Sequence, residues 1–242
     1  MNNNNKKVFH DLKTIIKYSL ATLKIGLWKS ETFFIKKYLK NKETKILDLG
    51  CGSGRTTFGM YQLGYKNIAA CDISSSMIEQ ANILNEQFKY NILFETQDAT
   101  ELKYKDNSFD FVLFSFNGFP GIPSQKARIK ALQEIYRVLK KDGIFIFSAH
   151  ERDEQKYREY FSAFWSKCPE FSFETKGDYI YINDENSCDF MHLYSIEELK
   201  QEIKQNTDFS LLEIVNRDQN FFENSRVKEF SDNTIFWILK KE

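Results

Sequence analysis

Between Asn41 and His150, short apolar runs alternate with segments in which apolar residues recur every three or four positions. That rhythm predicts a parallel sheet with helices on both faces. Strands are expected over 45–49, 67–72, 92–96, 110–114 and 144–148, and helices over 56–63, 75–85 and 124–139. The third helix is the clearest: Ile129, Leu132, Ile135, Tyr136 and Leu139 keep helical spacing, Ser124 follows Pro123 as a cap, and Gly143 closes the turn.

On the N-terminal side, Val8, Phe9, Leu12, Ile15, Ile16, Leu20 and Leu23 form one helical stripe that Gly26 ends. It reads as a face packed on the domain or as an amphipathic lid. Beyond the core, 151–192 is aromatic and irregular, carrying Tyr157, Tyr160, Phe161, Phe164, Trp165, Phe171, Phe173, Tyr179 and Tyr181. A capped helix over 195–205 follows, with Glu198 three residues beyond Ser195 as in a capping box, and then strands over 211–215 and 234–240. The expected organisation is a single domain over 1–242: a helical cover (1–40), a core (41–150), a substrate-cover insert (151–193) and a closing helix and strands (194–242).

Composition narrows the class. With 10 Gly and 3 Pro in 242 residues, collagen-like and proline-rich linker proteins are excluded. Lys and Arg number 34, as do Asp and Glu, so no broad positive field attracts nucleic acid or an anionic membrane. No run of about 20 apolar residues could span a bilayer and the polar start is unlike a signal peptide, so a cytoplasmic protein without membrane contact is expected. Cys51, Cys71, Cys168 and Cys188 form no metal-binding spacing, so no metal site is expected, and Cys51 and Cys71 read as buried reduced thiols.

Chemistry concentrates at three successive strand ends. Ile46-Leu47-Asp48-Leu49-Gly50-Cys51-Gly52-Ser53-Gly54-Arg55 runs a buried strand into three alternating glycines and a helix, where the backbone can approach a ligand closely. Asp72 ends the next strand, placed to accept from two ribose hydroxyls or to cap the helix after it. Asp98-Ala99 follows the third strand, placed for an adenine amino group or for a surface loop. A dinucleotide site favours GxGxxG with the helix N-terminus under a pyrophosphate, whereas here Gly50, Gly52 and Gly54 precede Arg55, so a nucleoside ligand is expected.

With these blocks in this order the chain resembles the class I methyltransferases that use S-adenosylmethionine. LDLGCGSGR, Asp72 with Ile73-Ser74 and Met77, Asp98-Ala99, and RVLKKDGIFIF carry the resemblance, most strongly from Lys45 to Ser148. It implies an α/β fold: a Rossmann-like three-layer sandwich on a mostly parallel seven-stranded sheet with an antiparallel last strand. It assigns Asp48, Gly50, Cys51, Gly52, Ser53 and Gly54 to the methionine end of the cofactor and counts Arg55 among the cofactor-binding residues. Asp72, Ile73 and Met77 go to ribose and adenine, Asp98 and Ala99 to adenine, and Ser115 with Phe116 to the sulfonium. The Asn/Asp-Pro-Pro-Tyr signature of amino-methylating nucleic-acid enzymes is missing after the fourth strand, where Phe114-Ser115-Phe116-Asn117-Gly118-Phe119 stands.

Methyl transfer is an in-line displacement that demands positioning and a dry site, and no nucleophilic side chain. A base is needed only where the acceptor arrives protonated. The candidates beside the reaction are His150, His192 and Asn117, each with an alternative reading as a structural hydrogen-bonding group. Arg152 and Arg158 could meet an acidic substrate or be solvated. The expected activity is methyl transfer to nitrogen or oxygen of a small molecule. The rivals are a peptide, protein or tRNA methyltransferase, a non-catalytic S-adenosylmethionine-binding module, and a nicotinamide-dependent reductase. Oligomeric state is not legible.

Overall fold

The computed structural model describes residues 12–154, 157, 168, 169, 171–182 and 188–242. Along the chain run α1 (Leu12–Lys24), α2 (Lys29–Tyr38), β1 (Ile46–Leu49), α3 (Arg55–Gln62), β2 (Ile68–Asp72), α4 (Ser75–Gln87), β3 (Leu93–Thr96), β4 (Phe109–Phe114), α5 (Gln125–Val138) and β5 (Leu139–Ala149). Then come β6 (Asp178–Ile182), β7 (Cys188–His192), α6 (Ile196–Asn206), β8 (Phe209–Asn216), α7 (Arg217–Asn220), α8 (Ser225–Phe230) and β9 (Ile235–Lys241).

Seven strands form one sheet in the order β3-β2-β1-β4-β5-β9-β8. β1 pairs in parallel with β2 and β4, and β9 runs antiparallel to both β5 and β8, so the last strand is the reversed one, as expected. Side chains alternate across the sheet. Leu47, Leu49, Val112 and Phe114 join Leu132, Ile135 and Leu199 of α5 and α6 on one face. Ile46, Phe111 and Leu113 join Trp28, Phe34 and Met60 on the other. Being buried on both faces explains why the central strands read as unbroken apolar runs.

The predicted core elements appear at the expected places, and their caps explain their starts. Ser74 accepts from the Met77 amide, Ser124 from Ala127, and Ser195 from Glu198 in the foreseen capping box. Cys51 and Cys71 are buried free thiols.

Three expectations change. The stretch 151–192, read as irregular, contains an antiparallel hairpin, β6 on β7, with Asp178 opposite His192 and Ile182 opposite Cys188. Tyr179 and Tyr181 sit on its first strand, whereas Tyr160, Phe161, Phe164, Trp165 and Arg158 lie outside the described residues. Cys168 and Cys188 form a disulfide at the end of the hairpin where β6 leads into β7.

The predicted stripe of α1 is also not its packed face. Ile16, Leu20 and Leu23 are 49%, 43% and 54% exposed, whereas Thr14 and Ala21 are buried. The helix covers a cavity, and the residues it turns inward are Thr14, Tyr18 and Thr22, spaced by four. Val8 and Phe9 lie outside the described residues. Finally, α7 and α8 were not anticipated; they deliver Phe230, Ser231 and Asp232 to the same cavity.

Candidate active site

Strand order reverses between β1 and β4, and the crevice at the carboxyl ends of such neighbours is where open α/β sheets bind ligands. A cavity of about 430 Å³ opens there, roofed by α1 and walled at one end by the hairpin and the end of α8. Its size is that of a small-molecule site.

The floor is the glycine turn. Gly50 (φ +65°) and Gly52 (φ +53°) take left-handed conformations that disfavour a side chain. A Cβ at Gly50 would come within 2.4 Å of the Phe114 ring, and one at Gly52 would stand 3.5 Å from Tyr18, in the gap between turn and roof. That gap is a cradle a side chain would fill. Ser53 and Thr22 hydroxyls, 3.0 Å apart, tie turn to roof. The Cys51 residue is buried with its amide donating to the Cys71 carbonyl, and it lines the cavity within the turn.

Asp48 lies under the turn, 1% exposed, and is not on the cavity wall. Its Oδ2 accepts from the Thr56 and Thr57 hydroxyls at 2.7 and 2.5 Å, while Oδ1 is buried without a partner. Burial pushes its carboxyl up to about 6, against those hydroxyls and Arg55, which lower it. A buried acceptor lacking a donor is a position that a bound ligand or water can complete.

Asp72 closes the β2 end. One oxygen accepts from the Gly52 amide and the other from the Ser74 amide, both at 2.9 Å, so this carboxylate shapes the turn while it lines the cavity. Ile73, Met77 and Ala99 line the same end. Gln97 and Ala99 line the wall after β3, and Asp98 does not: its Oδ1 accepts from the Thr100 amide and hydroxyl, both at 2.8 Å, as a turn-forming Asp does.

Arg55 is on the wall, but its guanidinium is engaged. It meets Glu31 in a bidentate pair, 2.7 Å on each arm, and also donates to the Gly26 carbonyl. The Ser115 hydroxyl donates to the same Glu31 carboxylate. Phe116 (φ +53°) and Asn117 (φ +58°) both stand in the left-handed region that non-glycine residues avoid, a strain typical of functional loops. Phe116 stacks on Phe230, with ring centroids 4.7 Å apart.

Asn117 and His150 stand together. The Asn117 amide nitrogen lies 2.9 Å from His150 Nε2, its oxygen accepts from the Thr234 hydroxyl, and His150 Nδ1 donates to the Asn233 carbonyl at 2.7 Å. Those partners set the tautomer with the proton on Nδ1 and leave Nε2 accepting from Asn117. His150 therefore lines the cavity with its ring held at both nitrogens.

His192 does not reach the cavity. It is buried between Asp178 (Nδ1 to Oδ1, 2.7 Å) and Glu198 (Nε2 to Oε1, 3.1 Å), holding the hairpin to α6. On β7, Asp189, Phe190 and Met191 line the cavity, whereas His192 belongs to this cluster. Arg152 is paired with Glu198 at 2.6 Å.

A nucleoside with a charged tail fits this set: a diol acceptor in Asp72, an apolar slot at Ile73, Met77 and Ala99, and a side-chain-free turn above an incomplete carboxylate. A methyltransferase-domain family model matches residues 40–213. The chain belongs to the class I S-adenosylmethionine-dependent methyltransferases. The ubiquinone/menaquinone biosynthesis C-methyltransferase of Rickettsia akari is 34% identical over 147 residues, 58% of this chain and 56% of that protein. The chain thus spans little more than half the length of that relative.

Among solved structures, a methyltransferase of this class from Methanosarcina mazei superposes with TM-score 0.70 at 20% identity, covering 90% of this chain and 99% of that one. The 1,6-didemethyltoxoflavin-N1-methyltransferase of Burkholderia thailandensis, solved with its substrate and S-adenosylhomocysteine, has TM-score 0.64 at 15% identity, covering 97% and 84%. These likenesses are of fold.

Cavity residues that the sequence reading missed are Thr14, Lys17, Tyr18, Gln97, Asp189 and Asp232, together with Phe230. The four-residue spacing of Thr14, Tyr18 and Thr22 was a readable signal on α1. Asp189 and Asp232 had none, because tertiary folding alone brings β7 and the residues after α8 to the β5 end. Among the described residues, no helix is long and apolar enough to cross a membrane.

Proposed function

We propose that this enzyme methylates nitrogen or oxygen of a small-molecule acceptor, and that an amine is the acceptor its site suits best. The observation that carries this is the far wall of the cavity. Asp189 and Asp232 line it together with Tyr18, Phe116, Tyr181 and Phe230. Carboxylates among ring faces make a site for an ammonium group or an N–H donor. Tyr181 donates to Asp189 at 3.0 Å and Tyr157 to Asp232 at 3.4 Å, so both acids are oriented. Burial, then Glu151, Asp232 and Asp218, raise the Glu154 carboxyl, as expected in a negative field.

S-adenosylmethionine supplies a methyl group on a sulfonium, open to displacement. Asp72 and the Gly50–Gly54 turn would hold the cofactor; Phe116 and Asn117 would shape the transfer point; α1 would exclude water. As the acceptor nitrogen bonds the methyl carbon, sulfur keeps the electrons of the broken bond and the nitrogen sheds a proton. Asp189 and Asp232 are the groups placed to take it. His150, with Nε2 occupied, fits a positioning role beside Asn117. The cavity's small-molecule size and the small-molecule substrate named for the Burkholderia structural neighbour support a small acceptor over peptide or tRNA.

The test is transfer of a labelled methyl group into cell extract separated by size and charge. Label in a low-mass basic fraction is expected; label confined to protein or RNA, or no turnover, would overturn the reading. Asp189→Asn and Asp232→Asn are expected to raise the acceptor KM several-fold while leaving cofactor affinity unchanged by calorimetry.

A second expectation concerns Asp48. A donor relayed from the bound cofactor through one water would complete Oδ1 and lower a carboxyl now near 6. Binding should then release protons around pH 6, and affinity should rise with pH through that value. Calorimetry in two buffers of different ionisation enthalpy reads the release, which Asp48→Asn should abolish.

A further inference from the structure

The Glu31–Arg55 pair is fully formed, with side chains 0% and 9% exposed, yet nothing above gives it a chemical task. Burying two charges costs solvation that their attraction only partly returns, so stability alone is a weak account of it. Arg55 has an evident structural use: it donates to the Gly26 carbonyl at 2.9 Å, lies 4.8 Å over the Trp28 ring and reaches toward Ser115 at 3.5 Å. It thereby seals the segment between α1 and α2 against the end of β4. The consequence is a guanidinium on the cavity wall.

Its place along the sheet edge gives that charge its meaning. Asp72 stands at the end of β2, Arg55 and Ser115 beyond β1 and β4, and His150 beyond β5. A cofactor with its ribose at Asp72 and its methyl group directed toward the β5 side carries its sulfonium across the β1–β4 interval, where Arg55 stands. An uncompensated guanidinium there would repel the sulfonium and leave the neutral sulfur of the demethylated product untouched. The site would then favour product over cofactor.

We infer that Glu31 is a specificity-determining residue that cancels the Arg55 charge and so sets the affinity of the site for S-adenosylmethionine relative to S-adenosylhomocysteine. The inference rests on the cofactor placement proposed above. Glu31 is equipped for the task, because its carboxylate takes both guanidinium arms, the Trp28 amide at 2.8 Å and the Ser115 hydroxyl, which fix it behind the wall.

The experiment measures both dissociation constants by calorimetry at pH 8 for the wild type, Glu31→Gln, Arg55→Met and the double variant. Glu31→Gln, which keeps an acceptor for the Trp28 amide, is expected to raise the ratio of the S-adenosylmethionine constant to the S-adenosylhomocysteine constant about tenfold. Arg55→Met should lower the ratio, and the double variant should return it toward the wild-type value. A purely structural role weakens both ligands alike and leaves the ratio fixed, which would overturn the inference. If Glu31→Gln does not fold, the fall or constancy of the ratio in Arg55→Met decides. Failure of the wild type to bind either ligand would instead overturn the cofactor placement.

Discussion

Replacing Asp72 by alanine is expected to weaken S-adenosylmethionine binding roughly ten- to hundred-fold, the worth of about 1.5–3 kcal/mol for lost hydrogen bonds to a charged group. Two losses combine. The carboxylate is the acceptor placed for the ribose diol, and its oxygens also hold the Gly52 and Ser74 amides at 2.9 Å. Without it the glycine turn loses the contact that pins it to the end of β2, and α4 loses a bond at its entry. Asp72→Asn should fall between the two, since an amide keeps one acceptor and carries no charge. Calorimetry with S-adenosylmethionine, after thermal melting has shown each variant folded, reads the series. Affinity equal to wild type in Asp72→Ala would place the ribose elsewhere.

The contrast between Asp72 and Asp98 shows what a sequence can and cannot disclose about such a site. Both acids follow strands, and a local pattern treats them alike. In the fold, Asp72 meets the cavity, whereas Asp98 turns its carboxylate onto Thr100 and leaves Gln97 and Ala99 on the wall. Strands β1 and β4 were legible because burial on both faces makes each an apolar run, and α5 because its stripe and Ser124 cap are local. The hairpin was not: its inward Ile180 and Phe190 pack with the disulfide of Cys168 and Cys188, a small core assembled from distant positions. The apolar stripe of α1 misled for a related reason. As the roof of a ligand-sized cavity the helix lines it with Thr14, Tyr18 and Thr22 and leaves Ile16, Leu20 and Leu23 exposed.

His150 and His192 divide along the same line. Each follows or ends a strand, and only the three-dimensional setting separates a ring fixed at the cavity from one enclosed by two carboxylates.

The largest stability effect is expected at Asp178, which is buried where hairpin, α5 and α6 converge. Its Oδ1 accepts from His192 at 2.7 Å and lies 3.9 Å from the Arg128 guanidinium, while Oδ2 accepts from the Glu174 and Thr175 amides. Arg128 is fully buried and also holds Tyr194, whose hydroxyl donates to Glu202 at 2.6 Å. Asp178→Ala strands Arg128 and two backbone amides in the interior, and breaking a buried pair from one side costs about 3–5 kcal/mol. The variant should melt well below wild type and lose the cavity wall built by β7. Acid should reach the same site in the wild type. Burial alone would raise the Asp178 carboxyl, yet the bonds from His192 and the two amides outweigh it and hold the group below its ordinary value of 3.8. A depressed folded pKa means that the stabilisation is complete above the unfolded value and lost as pH falls through the folded one. Stability should therefore hold at this site down to about pH 4 and decline below it, a slope that Asp178→Asn, titrated by urea unfolding over the same range, should flatten. A slope identical in variant and wild type would assign the acid sensitivity to other carboxylates.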